Sequence, residues 1–270
     1  MEDRVSVSIS EGVADVRLVR ADKMNALDVA MFEALVATTE RLATEKGLRA
    51  VVLSGEGRAF CAGLDMGRFA ALQESGGNGI AGEEKRDISI RTHGLGNFPQ
   101  AAVWGWRQLP VPVIAAIQGV AFGGGFQLAL GADMRFLSSD ARMSIMEIKW
   151  GLVPDMAGTP ILASLVRDDI LRELTFTGRI FSAQEALSYG LATRICDDPR
   201  AAAFEAAREI AGKSPDAIRA AKRLLNNLSV DPGPALLAES VEQMKLMGSA
   251  NQLEAVRANI EKRAPRFADL

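Results

Sequence analysis

Glu147 lies in the segment MSIMEIKWGLVPD, flanked by Ile145, Met146 and Ile148. Apolar neighbours that strip water from a carboxyl raise its pKa toward the range where it exchanges protons at neutral pH. The competing reading is an alternating strand that turns Glu147 to solvent. Eight residues on, Asp155 follows Pro154 in a turn pattern. Two glycine loops offer a second kind of chemistry. Ala62-Gly63-Leu64-Asp65 follows the apolar run AVVLSG, and Gly123-Gly124-Gly125 follows VIAAIQG and opens a helical pattern. Glycine lets backbone amides approach a ligand closely. A helix start leaves N–H groups free. Two such loops can present two convergent N–H donors to a developing oxyanion. Tight packing is the alternative explanation of a Gly-Gly-Gly turn. The glycines are consecutive, so they match neither the G-x-G-x-x-G nor the G-x-x-x-x-G-K-[ST] pattern.

The rest of the composition narrows the chemistry. The chain has 270 residues, 48% hydrophobic and 24% charged, enough for one large domain or two modest ones with a substantial core. One histidine, His93, and two cysteines, Cys61 and Cys196, cannot assemble a Cys-rich or poly-His metal site within one chain. A triad or dyad could draw only on His93, which falls in a loop-like stretch. A net charge of −3 provides no general field for nucleic acid. No apolar run reaches the ~18 residues of a membrane span. The start, MEDRVSVSIS, is charged and then alternating, unlike a signal peptide. A cytoplasmic enzyme with no metal, no nucleic-acid partner and no membrane association is the expectation.

The elements that must position these groups alternate between strand and helix, which argues for an α/β fold. Val5, Val7 and Ile9, a turn at Glu11-Gly12 and Val13 to Val19 predict a β-hairpin. A helix follows, capped by Asp28. AVVLSG and PVPVIAAIQG predict buried strands, with a short helix carrying Val103, Trp104 and Trp106 between them. The glycine- and charge-rich stretch 73–96 reads as a mobile flank of a site. MRFLSS and MSIMEI (143–148) predict further strands. Asp168 or Asp169, a Ser182–Glu185 capping box and Ser214-Pro215 mark helix starts, and 234–263 predicts a long last helix. Trp104, Trp106, Phe122 and Phe126 are candidates for a pocket lining or for the core.

Taken together the segments resemble the enoyl-CoA hydratase/isomerase (crotonase) superfamily over nearly the whole chain. The matching pieces, in order, are KMNALD (23–28), GRAFCAGLD (57–65), PVPVIAAIQGVAFGGGFQLALGAD (110–133), MEIKWGLVPDMAGT (146–159), TGRIFSAQEALSYGLATRI (177–195) and EKRAPRF (261–267). The resemblance implies a spiral of ββα units over 1–200. It also implies a C-terminal helical region, 201–270, that mediates trimerisation and contributes to the coenzyme A site. The assembly would be a homotrimer or a hexamer built as a dimer of trimers. It implies an acyl-CoA substrate and no separate cofactor. The Leu64 and Gly124 amides would hold the thioester oxygen and the enolate formed beside it, and Glu147 would be the acid/base. Lys23, Ala62, Gly63, Asp65, Arg68 and Lys262 would contribute to coenzyme A binding.

Departures from the family pattern keep the reaction open. Hydratases of this family carry two glutamates. Glu147 matches the second, but the first position is Gln127, and an amide can orient water or the acyl group without transferring a proton. Glu147 with Asp155 also resembles the pair in dienoyl-CoA isomerases and that in 3-hydroxyisobutyryl-CoA hydrolases. The loss of a carboxylate at Gln127 leaves a non-catalytic acyl-CoA-binding protein as a further reading.

Overall fold

The computed structural model describes residues 4–65, 67, 88–227 and 249–269. Its frame is a six-stranded sheet formed by β1 (Val5–Ser10), β2 (Val13–Leu18), β3 (Ala50–Gly55), β4 (Val113–Ile117), β6 (Met134–Ser138) and β9 (Arg194–Cys196), in that order. A smaller sheet joins β5 (Val120–Phe122), β7 (Arg142–Ser144) and β8 (Phe181–Ser182). β1 and β2 form the expected antiparallel hairpin, with Val7 opposite Val16, and every other pair in the large sheet is parallel. β3 and β4 are buried at every position. Runs without polar alternation suit parallel strands covered on both faces.

Both faces are indeed covered. Val51, Leu53, Ala115 and Ile117 pack with Phe32 and Leu35 of α1 (Val29–Ala43) and Trp106 of α2 (Phe98–Gln108). On the other face Val52, Ile114 and Phe136 meet Ala203 and Ala207 of α7 (Pro199–Ala211). The remaining α-helices among the described residues are α3 (Gly124–Leu130), α4 (Gly158–Leu162), α5 (Asp168–Thr177), α6 (Ala183–Ser188), α8 (Pro215–Asn226) and α9 (Ala250–Glu261). α7 spans residue 200, and its alanines belong to the core on that face of the sheet. α8 is anchored by the buried Lys222, whose Nζ donates to Asp133 Oδ2 and to the Val111 carbonyl, both at 2.8 Å.

Two local expectations change. The strand predicted over 143–148 stops at Ser144, and Glu147–Trp150 is a 3₁₀ turn ended by Gly151 at φ 69°. Its neighbour explains this: β5 ends at Phe122, Gly123 N–H donates to Ser144 O, and the chain then turns into α3, leaving no partner beyond. At α5 the cap position is Arg167, and Asp168 and Asp169 occupy the first turn, where they still oppose the helix dipole. The Ser182–Glu185 capping box is present. Of the stretch 73–96, residues 73–87 lie outside the described residues, as do 228–248, so the long last helix is described only over α9.

Asp28 caps α1, its Oδ1 accepting from Met31 N–H at 2.8 Å, and its carboxylate also pairs with Arg4 at 2.9 Å. Asp28→Ala is expected to lower stability by about 1 kcal/mol, the usual worth of an N-cap. Urea unfolding checks this; an unchanged midpoint would show that the cap contributes nothing.

Candidate active site

The first glycine loop is held by the KMNALD segment. Asn25 is fully buried at φ 55°, a left-handed conformation that asparagine tolerates. Its Oδ1 accepts from Arg20 N–H at 2.9 Å, and its Nδ2 donates to the carbonyls of Glu56, Ala59 and Phe60. Backbone bonds then stitch the two segments together: Ala62 N–H to Met24 O at 2.9 Å, Leu27 N–H to Gly63 O at 2.8 Å, and Asp65 N–H to Leu27 O at 3.1 Å. Leu64 sits between the last two, and its own N–H meets no acceptor among the described residues. Asp65 is braced from the side. It accepts from the Arg20 guanidinium at 2.6 Å and from Gly67 N–H at 2.8 Å. Burial pushes its carboxyl up, but these bonds and the Arg20 charge hold it below the usual value.

The second loop is tied to the first. Cys61 N–H donates to Val120 O and Phe122 N–H to Cys61 O, both at 3.1 Å. A Cβ on Gly63, which has φ 88°, would stand 2.5 Å from Phe122 O and 3.7 Å from Gly124 N, so the two loops touch there. A Cβ on Gly125 would lie 2.3 Å from Cys61 O. Packing therefore explains Gly125. Gly124 is the first residue of α3, and its N–H has no partner within the helix. Leu64 and Gly124 both border one cavity of about 630 Å³.

Glu147 and Asp155 border the same cavity. Glu147 is 9% exposed, which excludes the solvent-facing alternative. Its Oε1 accepts from Gln127 Nε2 at 2.6 Å, while Oε2 is buried with no hydrogen-bond partner among the described residues. Burial raises its pKa, and the Asp155 charge adds to that rise; its own backbone N–H and Gln127 work against it. Burial likewise raises Asp155. Gln127, expected to orient water or the acyl group, does not line the cavity. It is 1% exposed, and its Oε1 accepts from Met156 N–H at 2.9 Å and Gly158 N–H at 3.0 Å. Its oxygen and one of its two amide hydrogens are committed to the protein.

The other candidates divide. Lys23, Ala62, Gly63 and Asp65 line the cavity. Lys262 follows α9 at φ 52° and does not line its own chain's cavity. Arg68 lies outside the described residues. Phe122 lines the cavity, whereas Phe126 packs edge-on against Phe181 with centroids 5.5 Å apart, and Trp106 is in the core. Trp150, which no periodicity had singled out, lines the cavity. His93 is exposed, bonded to Thr92 and against Phe98, and is not a cavity residue. Cys61 is buried, its Sγ donating to Asn25 O, and burial pushes the thiol up to about 12, so it is no nucleophile. No pattern in the sequence assigns Asn25 or Arg20 a part in the site. Asparagine's tolerance of left-handed φ was the available signal for the first, but its partners lie 31 to 35 residues away.

Two amide donors beside two carboxyls with raised pKa can abstract a proton next to a carbonyl and hold the resulting enolate. No described helix is long and apolar enough to cross a membrane. The family profile of enoyl-CoA hydratase/isomerase matches residues 8–270. The chain is 34% identical to a carnitinyl-CoA dehydratase of Proteus mirabilis over 253 residues, 91% of each chain. It is 32% identical to the mitochondrial Delta(3,5)-Delta(2,4)-dienoyl-CoA isomerase of Mus musculus, over 95% of this chain and 79% of that protein. The crystal structure of an enoyl-CoA hydratase from Bacillus anthracis superposes with a TM-score of 0.85 at 31% identity, covering 98% of both chains.

Proposed function

The chain belongs to the enoyl-CoA hydratase/isomerase family, enzymes of acyl-CoA thioesters, and from that premise we propose that it moves a double bond in an enoyl-CoA by proton transfer through an enolate. The thioester oxygen sits on the Leu64 and Gly124 amides. Glu147 removes a proton from the acyl chain through Oε2; the C–H electron pair passes into the enolate, whose charge the amides carry. Asp155 returns a proton to a different carbon of the conjugated system. The rim formed by Lys23, Ala62, Gly63 and Asp65 takes the coenzyme A portion, Lys23 supplying a cation for its phosphates.

The observation that carries this reading is the pair Glu147 and Asp155 on one cavity, with Gln127 outside it. Two carboxyls suffice to take and return a proton. A second reading, addition or removal of water, is favoured by the name of the Proteus relative, a dehydratase. In that case Glu147 Oε2 activates water and Asp155 orients it.

A panel of 2-enoyl-, 3-enoyl- and dienoyl-CoA, read together for double-bond shift, hydration and free CoA, separates the readings. The expected product is the shifted double bond. Hydration at comparable or higher rate would favour the second reading, and CoA release at turnover rates would favour a hydrolase. Asp155→Asn is expected to cut migration about 100-fold or more, as for a removed general acid, while leaving exchange of the α-proton with D₂O near the wild-type rate. Migration at the wild-type rate in that variant would remove Asp155 from the mechanism.

A further inference from the structure

Gln127 reaches neither cavity nor solvent, yet its side chain joins two segments that carry the chemistry. Its Oε1 takes two backbone N–H donors, from Met156 and Gly158. An amide whose oxygen is claimed twice has one orientation: turned over, its NH₂ would face two N–H groups. Nε2 is therefore aimed at Glu147 Oε1, 2.6 Å away. The close approach is built into the sequence, since a Cβ on Gly158 would stand 2.7 Å from Gln127 Oε1.

We infer that Gln127 is a positioning residue that occupies Oε1 of Glu147, leaving Oε2 as the one oxygen that exchanges a proton with the substrate. This rests on the proposed acid/base role of Glu147 and goes further, naming the oxygen that works and the group that holds it. The bond is charge-assisted and favours the ionised carboxyl against burial. Gln127 loses no proton itself; the substrate C–H breaks, the O–H forms on Oε2, and the electron pair enters the enolate. The titratable groups sharing the cavity with Glu147 are Asp155, Asp22, Lys23 and Asp65. Among the described residues none of them is hydrogen-bonded to Glu147.

The role requires a donor at position 127, which gives it a signature that packing alone lacks. Gln127→Glu keeps an oxygen for Met156 and Gly158 and donates to Glu147 only while protonated. Two carboxyls in contact share one proton and titrate as a pair. The experiment uses the full chain and follows exchange of the α-protons of butyryl-CoA with D₂O against pH, a step that does not call on Asp155. The wild type should gain rate as pH rises through the Glu147 pKa and then stay level. Gln127→Glu should be bell-shaped, with a new fall on the alkaline side when the shared proton leaves. Gln127→Met, which has no donor, should lose roughly 10- to 100-fold in exchange rate at saturating substrate with KM nearly unchanged, and its acid limb should move to higher pH.

If Gln127→Met fails to fold, Gln127→Glu still decides the matter. A wild-type profile in Gln127→Glu, or a folded Gln127→Glu variant inactive at every pH, would overturn the inference and leave the base assignment standing. Wild-type exchange in Glu147→Gln would overturn both.

Discussion

Glu147→Gln is expected to lower both double-bond migration and α-proton exchange by about 10²- to 10⁴-fold, the range for a removed general base. The loss should appear in kcat, with KM nearly unchanged, because the proposed mechanism holds the thioester elsewhere, on the two amides and the residues assigned to coenzyme A. The protein itself should stay folded. The substituted amide can turn its oxygen to Gln127 Nε2 and so keep the bond now made by Oε1. Its burial also stops costing charge. Because Glu147 is raised in the folded state, the native protein binds its proton more tightly than the unfolded chain does. That stabilisation is present below the ordinary carboxyl value and is lost as pH rises through the raised one. At neutral pH the charge is therefore a burden that the variant sheds. The melting temperature of Glu147→Gln should be equal to or above that of the wild type. In the wild type the exchange rate should fall as pH drops through a value above the ordinary carboxyl range, since the protonated form is no base. Undiminished exchange in the variant would remove Glu147 from the reaction.

Gly63→Ala is the second large effect. Its Cβ would meet Phe122 O at 2.5 Å, a backbone atom that cannot swing aside, at a φ of 88° that alanine rarely adopts. Relief must come from separating the two loops that present the Leu64 and Gly124 amides. Losing one oxyanion donor costs about 10²- to 10³-fold in kcat in other enzymes, and a comparable fall is expected here. Gly94→Ala separates backbone strain from the clash. It has φ 63°, but its Cβ would meet nothing within 4 Å. That variant should lose about 1 kcal/mol of stability and keep its turnover. If Gly63→Ala works within twofold of the wild type, the contact between the loops does not set the amide geometry.

Much of this site is legible in the chain. Ile145, Met146 and Ile148 allow a dehydrated carboxyl as well as a solvent-facing one, and Glu147 is buried. The two glycine loops come after β3 and after β5, the short strand that follows β4, and border one cavity, as their position after buried apolar runs suggests. Other features depend on partners far along the chain. The strand predicted through Glu147 ends at Ser144 because β5 runs out at Phe122, a limit set by another segment. Asn25 is one residue in a noted motif, but its value lies in three carbonyls at 56, 59 and 60.

Gln127 marks the division most clearly. That position 127 carries an amide and no carboxylate is a property of the sequence alone, and it is why the proposed proton transfer falls to Glu147 and Asp155. The same holds for the scarcity of His and Cys, which leaves amides and carboxyls as the reactive inventory, and for the periodicities that dictate an α/β fold. Whether the amide faces substrate or protein was decided only by the tertiary structure. Met156 and Gly158 bring two N–H donors to its oxygen from 29 and 31 residues away. A hydrogen bond has direction, and a side chain's direction depends on every donor and acceptor that folding brings within about 3 Å of it. Local pattern records which groups a residue carries; the packed chain determines which of them remain free for chemistry.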